Sequence, residues 1–227
     1  MEDIIGGALY VVSTPIGNLG DLTHRAESVL NQVDLIAAED TRTSRILLQH
    51  YGIKTPLRSY HSYNVNRETA KLVEYLMQGK SIALISDAGT PGISDPGYHL
   101  IKACIENQIQ IIPIPGPSAL LAALVVSGLP INRFVYEGFL PLKKGRKTRL
   151  EFLKNEERTL VFYESPHRIR KTVADLLTYL GDRPCVMARE LTKKFEEIFR
   201  GSLSTLLKDL NTRTIKGEIV ILVGPTP

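Results

Sequence analysis

The first half of this chain alternates between short apolar runs and segments of helical period, and that rhythm limits the fold more than any other feature. Residues 8–13, 33–38, 81–86 and 109–114 are dominated by Val, Ile, Leu and Ala and lack the polar alternation of a strand wetted on one face. Strands of that kind bury both faces, as in parallel sheets covered by helices. Between them lie amphipathic stretches. Residues 21–32 place Leu22, Ala26, Val29 and Leu30 at helical spacing with Asp21 as the expected cap, and residues 41–51 follow the second strand. Residues 64–77 carry Leu72, Val73 and Leu76 and stop at Gly79; residues 95–106 open with Asp95 as cap and Pro96 at the first helical position. A proline there loses nothing, because its N–H would have no intrahelical partner. The order β-α-β-α predicts an α/β fold with a mostly parallel sheet.

Residues 118–126 read SALLAALVV, closed by Gly128. A helix that is apolar all round is expected to be buried on every side. It follows IPGP and marks a junction, so the expected division is 1–117 and 118–227. Beyond it, strands are expected at 133–138, 159–163, 184–189, 196–200 and 218–223. Helices are expected at 147–153, 165–180 and 202–210.

Several function classes are excluded. No apolar run approaches the roughly 18 residues of a spanning helix. The N-terminus lacks a basic-apolar-small signal, which places the expected protein in the cytoplasm. Cys104 and Cys185 are too few for a disulfide framework or a four-cysteine metal site, and His24, His50, His61, His99 and His167 are scattered, so no metal is expected. A phosphate-binding P-loop would need glycine where Glu74 stands, and no G-x-G-x-x-G follows the first strand.

The net charge of +4 is unevenly distributed. Residues 1–114 hold 9 Lys and Arg against 12 Asp and Glu, net −3, while residues 115–227 hold 19 against 12, net +7. Such asymmetry points either to an anionic partner of the second half or to an uneven solvated surface.

Three turns lie between a strand and a helix, on the side where open α/β sheets bind ligands. They are STPIGNLGD at 13–21, SDAGTPGISDPG at 86–97 and PIPGPSA at 113–119. Glycines let a backbone approach a ligand closely, and prolines reduce the entropy lost on binding. The N–H groups of Ser118 and Ala119, at a helix start, suit a carbonyl or carboxylate.

These turns, together with AAEDTR (37–42), GFLP (138–141), YESPHR (163–168) and ARELTKKFEE (188–197), resemble the ribosomal RNA small subunit methyltransferase I family of bacteria, within the tetrapyrrole methylase superfamily. The likeness runs in order over nearly the whole chain. It implies two α/β domains, the second with a mixed sheet, and S-adenosylmethionine bent into the cleft between them. It also implies a homodimer and 2′-O-methylation of a cytidine in the decoding region of small-subunit ribosomal RNA, free or within the 30S subunit. Carried over by motif, cofactor contacts are expected at Pro15, Ile16, Asp87, Ala88, Gly89, Thr90, Ile93, Ser118 and Ala119. In the second domain they are expected at Tyr163, Glu190, Leu191, Gly217, Glu218 and Ile219. The chain ends soon after GEIVILVG, so any longer C-terminal tail of relatives is expected to be missing.

Methyl transfer to a ribose hydroxyl requires two reactants held close and collinear, and a base near the hydroxyl helps. Glu39 and Asp40 directly follow a strand and lead the candidates, with Glu190 and Asp95 behind them; Asp40 could equally cap the next helix and pair with Arg42. On the catalytic reading Asp40→Asn abolishes methylation and spares cofactor binding. RNA requires cations along its phosphates. Lys143, Lys144, Arg146, Lys147 and Arg149 fall within seven residues, and Arg168 adds to them. Cations at a helix start oppose the macrodipole, which favours a binding role over a solvated face. Tyr60, His61 and Tyr63 could stack an unpaired base or pack ordinarily. Two other readings stay open: a methylase of a tetrapyrrole or protein acceptor, and a non-catalytic RNA-binding module.

Overall fold

The computed structural model describes residues 4–226. Its contacts divide the chain into two units, Met1–Ser118 and Ala119–Pro227.

In the first unit the order is β1 (Leu9–Val12), α1 (His24–Gln32), β2 (Leu35–Ala38), α2 (Thr41–His50), β3 (Leu57–Ser59), α3 (Val65–Met77), β4 (Ile82–Ile85), α4 (Gly97–Glu106) and β5 (Ile111–Ile114). The strands lie in the order β3-β2-β4-β1-β5, all parallel. Alternate residues of each strand enter two different cores. Tyr10, Val12, Ile36, Ala38, Ala83 and Ile85 pack with Ala26, Val29 and Leu30 of α1 and Leu47 and Leu48 of α2. Leu9, Leu35, Ala37, Ile82 and Leu84 pack with Leu72, Val73 and Leu76 of α3 and Leu100 and Cys104 of α4. Two helices on each face account for strands that are apolar at every position.

The second unit contains α5 (Ala119–Val125), β6 (Phe134–Phe139), α6 (Arg146–Leu153), β7 (Thr159–Glu164), α7 (Ile169–Leu180), β8 (Pro184–Arg189), β9 (Glu197–Ser202), α8 (Leu203–Thr212) and β10 (Ile219–Val223). Its strands lie in the order β6-β7-β10-β8-β9; β6 and β7 are parallel and the remaining pairs antiparallel. On one face, Ile219, Ile221 and Val223 of β10 join Leu150 and Leu153 of α6, Val173 and Leu176 of α7, and Leu203, Leu206 and Leu210 of α8. Helix α5 also packs against β10. The two cysteines lie one in each unit, both free and buried, and burial pushes each thiol up to about 12.

Three local expectations need correction, and one strand lies where the sequence raised no expectation. The first helix starts at His24, where the Thr23 hydroxyl accepts from the Ala26 amide at 3.1 Å; Asp21 instead ends a short 3-10 turn, Leu19–Asp21. Helix α4 starts at Gly97 with Pro96 in the cap position, so the Asp95 carboxylate reaches over it to accept from the Gly97 amide at 2.8 Å. Strand β3, only three half-buried residues, adds to the sheet beside β2 and has too little apolar content to show in the sequence. Helix α5 is not covered all round. Ala123 and Leu124 are buried, but Leu121 is 53% and Val125 70% exposed, because one sheet face can cover only one side of a seven-residue helix.

Candidate functional site

In a parallel sheet every strand delivers its following loop to the same end. β4, β1 and β5 are neighbours, so the three Gly- and Pro-rich turns emerge side by side. They are also tied together. The Thr14 amide donates to the Gly89 carbonyl at 2.9 Å and the Gly89 amide returns to the Thr14 carbonyl at 3.0 Å. The Ser13 and Thr90 hydroxyls are 2.9 Å apart, and the Thr90 hydroxyl lies 3.4 Å from the Pro117 carbonyl, its acceptor. A Cβ at Gly116 would stand 3.0 Å from that of Ser13, so only glycine brings the third turn this close to the first. Of the expected cofactor residues, Pro15, Ile16, Asp87, Ala88, Gly89, Thr90 and Ser118 therefore belong to one rim. Pro15 and Ile16 are buried in it, and Ile93 points 41% of its surface outward.

The second long turn is closed on itself by Asp95, whose carboxylate accepts from the Gly92 amide at 2.8 and 3.0 Å. The next loop along the sheet, after β2, is bound to it as well. The Asp40 amide donates to the Asp87 carboxylate at 2.8 Å, and the Asp87 amide donates to the Glu39 carboxylate.

The leading carboxylates differ sharply in environment. Asp40 caps α2, accepting from the Arg42 amide at 2.8 Å, and holds the Arg42 guanidinium at 3.1 and 2.7 Å. The bond with Arg42 brings its carboxyl down to about 2. Glu39 is half-buried and its carboxyl is raised, first by burial and then by the negative charges of Asp87 and Asp95. It lines a cavity of about 360 Å³ with Ser62, Val65, Ser94, Asp95, Pro96 and His99, a feature without a sequence signal because its walls come from three separate loops. Tyr60, by contrast, is 1% exposed, its phenol 2.8 Å from the Thr69 hydroxyl, so it is a core residue and not a stacking surface. Tyr63 is exposed, with its ring edge-on to His61.

In the second unit the expected contact residues also converge. β8 and β10 pair so that Arg189 faces Ile219, which places Glu190 and Leu191 beside Gly217, Glu218 and Ile219. The Glu190 amide donates to the Glu218 carbonyl at 2.9 Å, and its carboxylate accepts from the Glu218 amide at 3.0 Å and from the Lys193 ammonium at 3.1 Å. These donors hold the Glu190 carboxyl below its ordinary value although burial opposes them. Tyr163 packs edge-on against Tyr136 and Phe139 and takes a hydrogen bond from the Leu120 backbone, next to Ala119. Burial raises its phenol well above the usual range.

Backbone strain marks the same segments. Four described non-glycine residues have positive φ: Ser94 at 66°, Gln108 at 56°, Glu190 at 52° and Thr192 at 67°. Three of the four lie in the expected cofactor segments, and such conformations persist where the surroundings over-determine them.

The expected RNA cations fall into two groups. Lys143, Lys144 and Lys147 are exposed. Arg146 is 7% exposed; its Nε donates to Asp175 at 2.8 Å, Nη1 to the Pro141 carbonyl at 3.1 Å and Nη2 to the Thr172 hydroxyl at 2.9 Å. The guanidinium is thus consumed by the fold. Arg149 is gripped at two nitrogens by the buried Glu137, and Arg168 donates to the Leu140 carbonyl and pairs with Glu164. Nothing in a run of basic letters separates the two groups; the acids that pair with the arginines come from β6, β7 and α7. Among the described residues no His, Cys, Asp and Glu cluster fits a metal ion, and no helix is long and apolar enough to cross a membrane.

Two α/β units, one parallel and one mixed, are the architecture of a methylase fold found in solved structures. Diphthine synthase superimposes with a TM-score of 0.75 over 96% of this chain and 90% of that one, at 14% identity. Cobalt precorrin-4 methyltransferase gives 0.68 over 96% and 95%, at 17%. The Tetrapyrrole (Corrin/Porphyrin) Methylases family model matches residues 8–207. Proteins called ribosomal RNA small subunit methyltransferase I are far closer in sequence. That of a Synechocystis strain is 53% identical over 97% of this chain and 80% of its own length, and that of Escherichia coli O157:H7 51% over 96% and 77%. The chain belongs to the tetrapyrrole methylase family, in its ribosomal RNA small subunit methyltransferase I branch.

Proposed function

We propose that this chain transfers a methyl group from S-adenosylmethionine to the 2′-hydroxyl of a cytidine in the decoding region of small-subunit ribosomal RNA. The observation that carries the reading is about 50% identity, across nearly the whole chain, to proteins named for that RNA. The rim fits the cofactor in shape. Ala88, Gly89, Thr90 and Ser118 carry small side chains, which let a nucleoside approach the backbone closely. Pro15, Ile16, Ile93, Ala119, Tyr163, Leu191 and Gly217 to Ile219 complete the proposed binding set. When bound, S-adenosylmethionine supplies an activated methyl group on a sulfonium.

The residues of this chain position the ribose, exclude water and take up a proton. Glu39 is the assigned proton acceptor, because its raised carboxyl is a stronger base than an ordinary glutamate and stands at a cavity. Asp40, held low by Arg42, and Glu190, held low against burial by the Glu218 amide and then by Lys193, fit positioning better. Lys143, Lys144 and Lys147 are assigned to phosphates. The resemblance further implies a homodimer acting in the cytoplasm, which sedimentation equilibrium of the purified chain tests as to its stoichiometry.

The deciding experiment incubates the protein with methyl-labelled cofactor and, in parallel, with free small-subunit RNA, 30S subunits and total protein. Label is expected on RNA, at a cytidine whose 3′ phosphodiester becomes resistant to alkali. Label on protein only, or on a base carbon, refutes the proposal.

A further inference from the structure

We propose that Phe152, set beside the clamped guanidinium of Arg149, is a stacking shelf for an unpaired base of the RNA substrate; this rests on the RNA reading above. On α6 the residues Leu150 and Leu153 face the core at 1% exposure each, whereas Phe152 is 71% exposed. Its ring is therefore not there to fill the core. The Arg149 carbon Cζ sits 4.9 Å from the centre of the ring. Two bonds from Glu137, at 2.6 and 2.5 Å, fix the plane of that guanidinium, and the Glu137 side chain is itself only 4% exposed. An arginine held in this way brings little new positive charge, since Glu137 neutralises it, but it holds a flat cation against a flat ring. Aromatic rings and guanidinium planes are the surfaces on which proteins stack unpaired bases.

The surroundings favour nucleic acid as the occupant. Gly145, Thr148, Arg149 and Phe152 line an open depression of about 340 Å³, and a Cβ on Gly145 would meet nothing within 4 Å. Lys143, Lys144 and Lys147 stand exposed in the turn and first helical turn beside it. Three cations next to a preorganised aromatic-guanidinium pair match a phosphate backbone with one base turned out of its stack.

The chain contains no tryptophan, so Phe152→Trp installs a single reporter at the shelf. Its emission is read during titration with single-stranded oligocytidylate and with duplex RNA of equal length, while anisotropy of labelled RNA records binding independently. The single strand is expected to quench the tryptophan and the duplex to leave it unchanged. Phe152→Ala is expected to weaken single-strand binding about tenfold at an unaltered salt slope, with Phe152→Trp retaining affinity. Unchanged emission while anisotropy shows binding, or equal affinity in Phe152→Ala, overturns the shelf and leaves the RNA reading standing. Absence of binding to any RNA by the wild-type chain overturns both. Emission that changes with protein concentration alone, alongside dimerisation in sedimentation, assigns Phe152 to a contact between copies and overturns the shelf.

Discussion

Replacing Arg146 by Met separates a cation that binds RNA from one that builds the fold. Its guanidinium joins the turn after β6 to two residues of α7, through Pro141, Asp175 and Thr172. Methionine keeps the stem and removes all three bonds. Breaking a buried ion pair by removing one partner costs about 3–5 kcal/mol. Asp175 is 27% exposed and can regain water, so the expected loss is nearer ~3 kcal/mol. For a chain of this size that corresponds to a fall in Tm of roughly 6–12 °C. Thermal unfolding followed by circular dichroism measures the loss, and Lys143→Met with Lys147→Met provides the comparison. The lysine pair is expected to leave Tm within about 2 °C, as exposed substitutions do. It is also expected to reduce the slope of log affinity for RNA against log salt by about 2. Arg146→Met is expected to leave that slope unchanged under conditions where it is folded. An unaltered Tm together with a reduced salt slope would refute the reasoning, since it would make Arg146 a phosphate ligand after all.

Three other outcomes follow from the geometry. Gly217→Ala would put a Cβ 2.3 Å from the Glu190 Cδ at a φ of +89°, so the lacing of β8 to β10 must shift. The expected result is a weaker cofactor affinity by calorimetry and a lower unfolding midpoint, and unchanged values in both refute the close approach. Glu39→Gln is expected to abolish methyl transfer and spare cofactor binding. In the wild type the basic form of Glu39 is lost as pH falls through its raised value, so the acid limb of kcat should lie above the ordinary glutamate range; a limb at or below that range contradicts the assignment. Asp40 has the opposite sign. Its folded carboxyl, at about 2, lies below the unfolded value near ~3.9, so its contribution to stability is full above about pH 4 and is lost as pH falls toward 2. Asp40→Asn should flatten that part of the acid unfolding curve, and a curve that keeps its slope there shows that the Arg42 pairing adds nothing to stability.

Most of the architecture was legible because it rests on period and punctuation. Strands β1, β2, β4 and β5 are apolar on both faces, and the helices between them carry apolar residues every third or fourth position. β3 was not legible, because three residues paired to one neighbour have no pattern of their own. Helix α5 misled because hydrophobicity reports what a segment can bury, not how much of it a single sheet face covers. At the site, the turns were legible as glycine- and proline-rich insertions after strands. Their mutual bonds, Thr14 to Gly89 and Ser13 to Thr90, join residues more than seventy positions apart and are set only by strand order.

The sequence by itself determined the class of fold, the three Gly- and Pro-rich turns and the family to which the chain belongs, because local period and motif order are written along the chain. Tertiary structure decided the state of those charged groups that no local pairing sets. Asp40 is drawn low by an arginine two residues away, yet its neighbour Glu39 is raised by burial and by two acids from the second turn. Arg146 is spent on Asp175, while Lys147 beside it stays in water. Charge, burial and proton affinity depend on what lies within a few ångströms, and those neighbours come from loops brought together by the sheet.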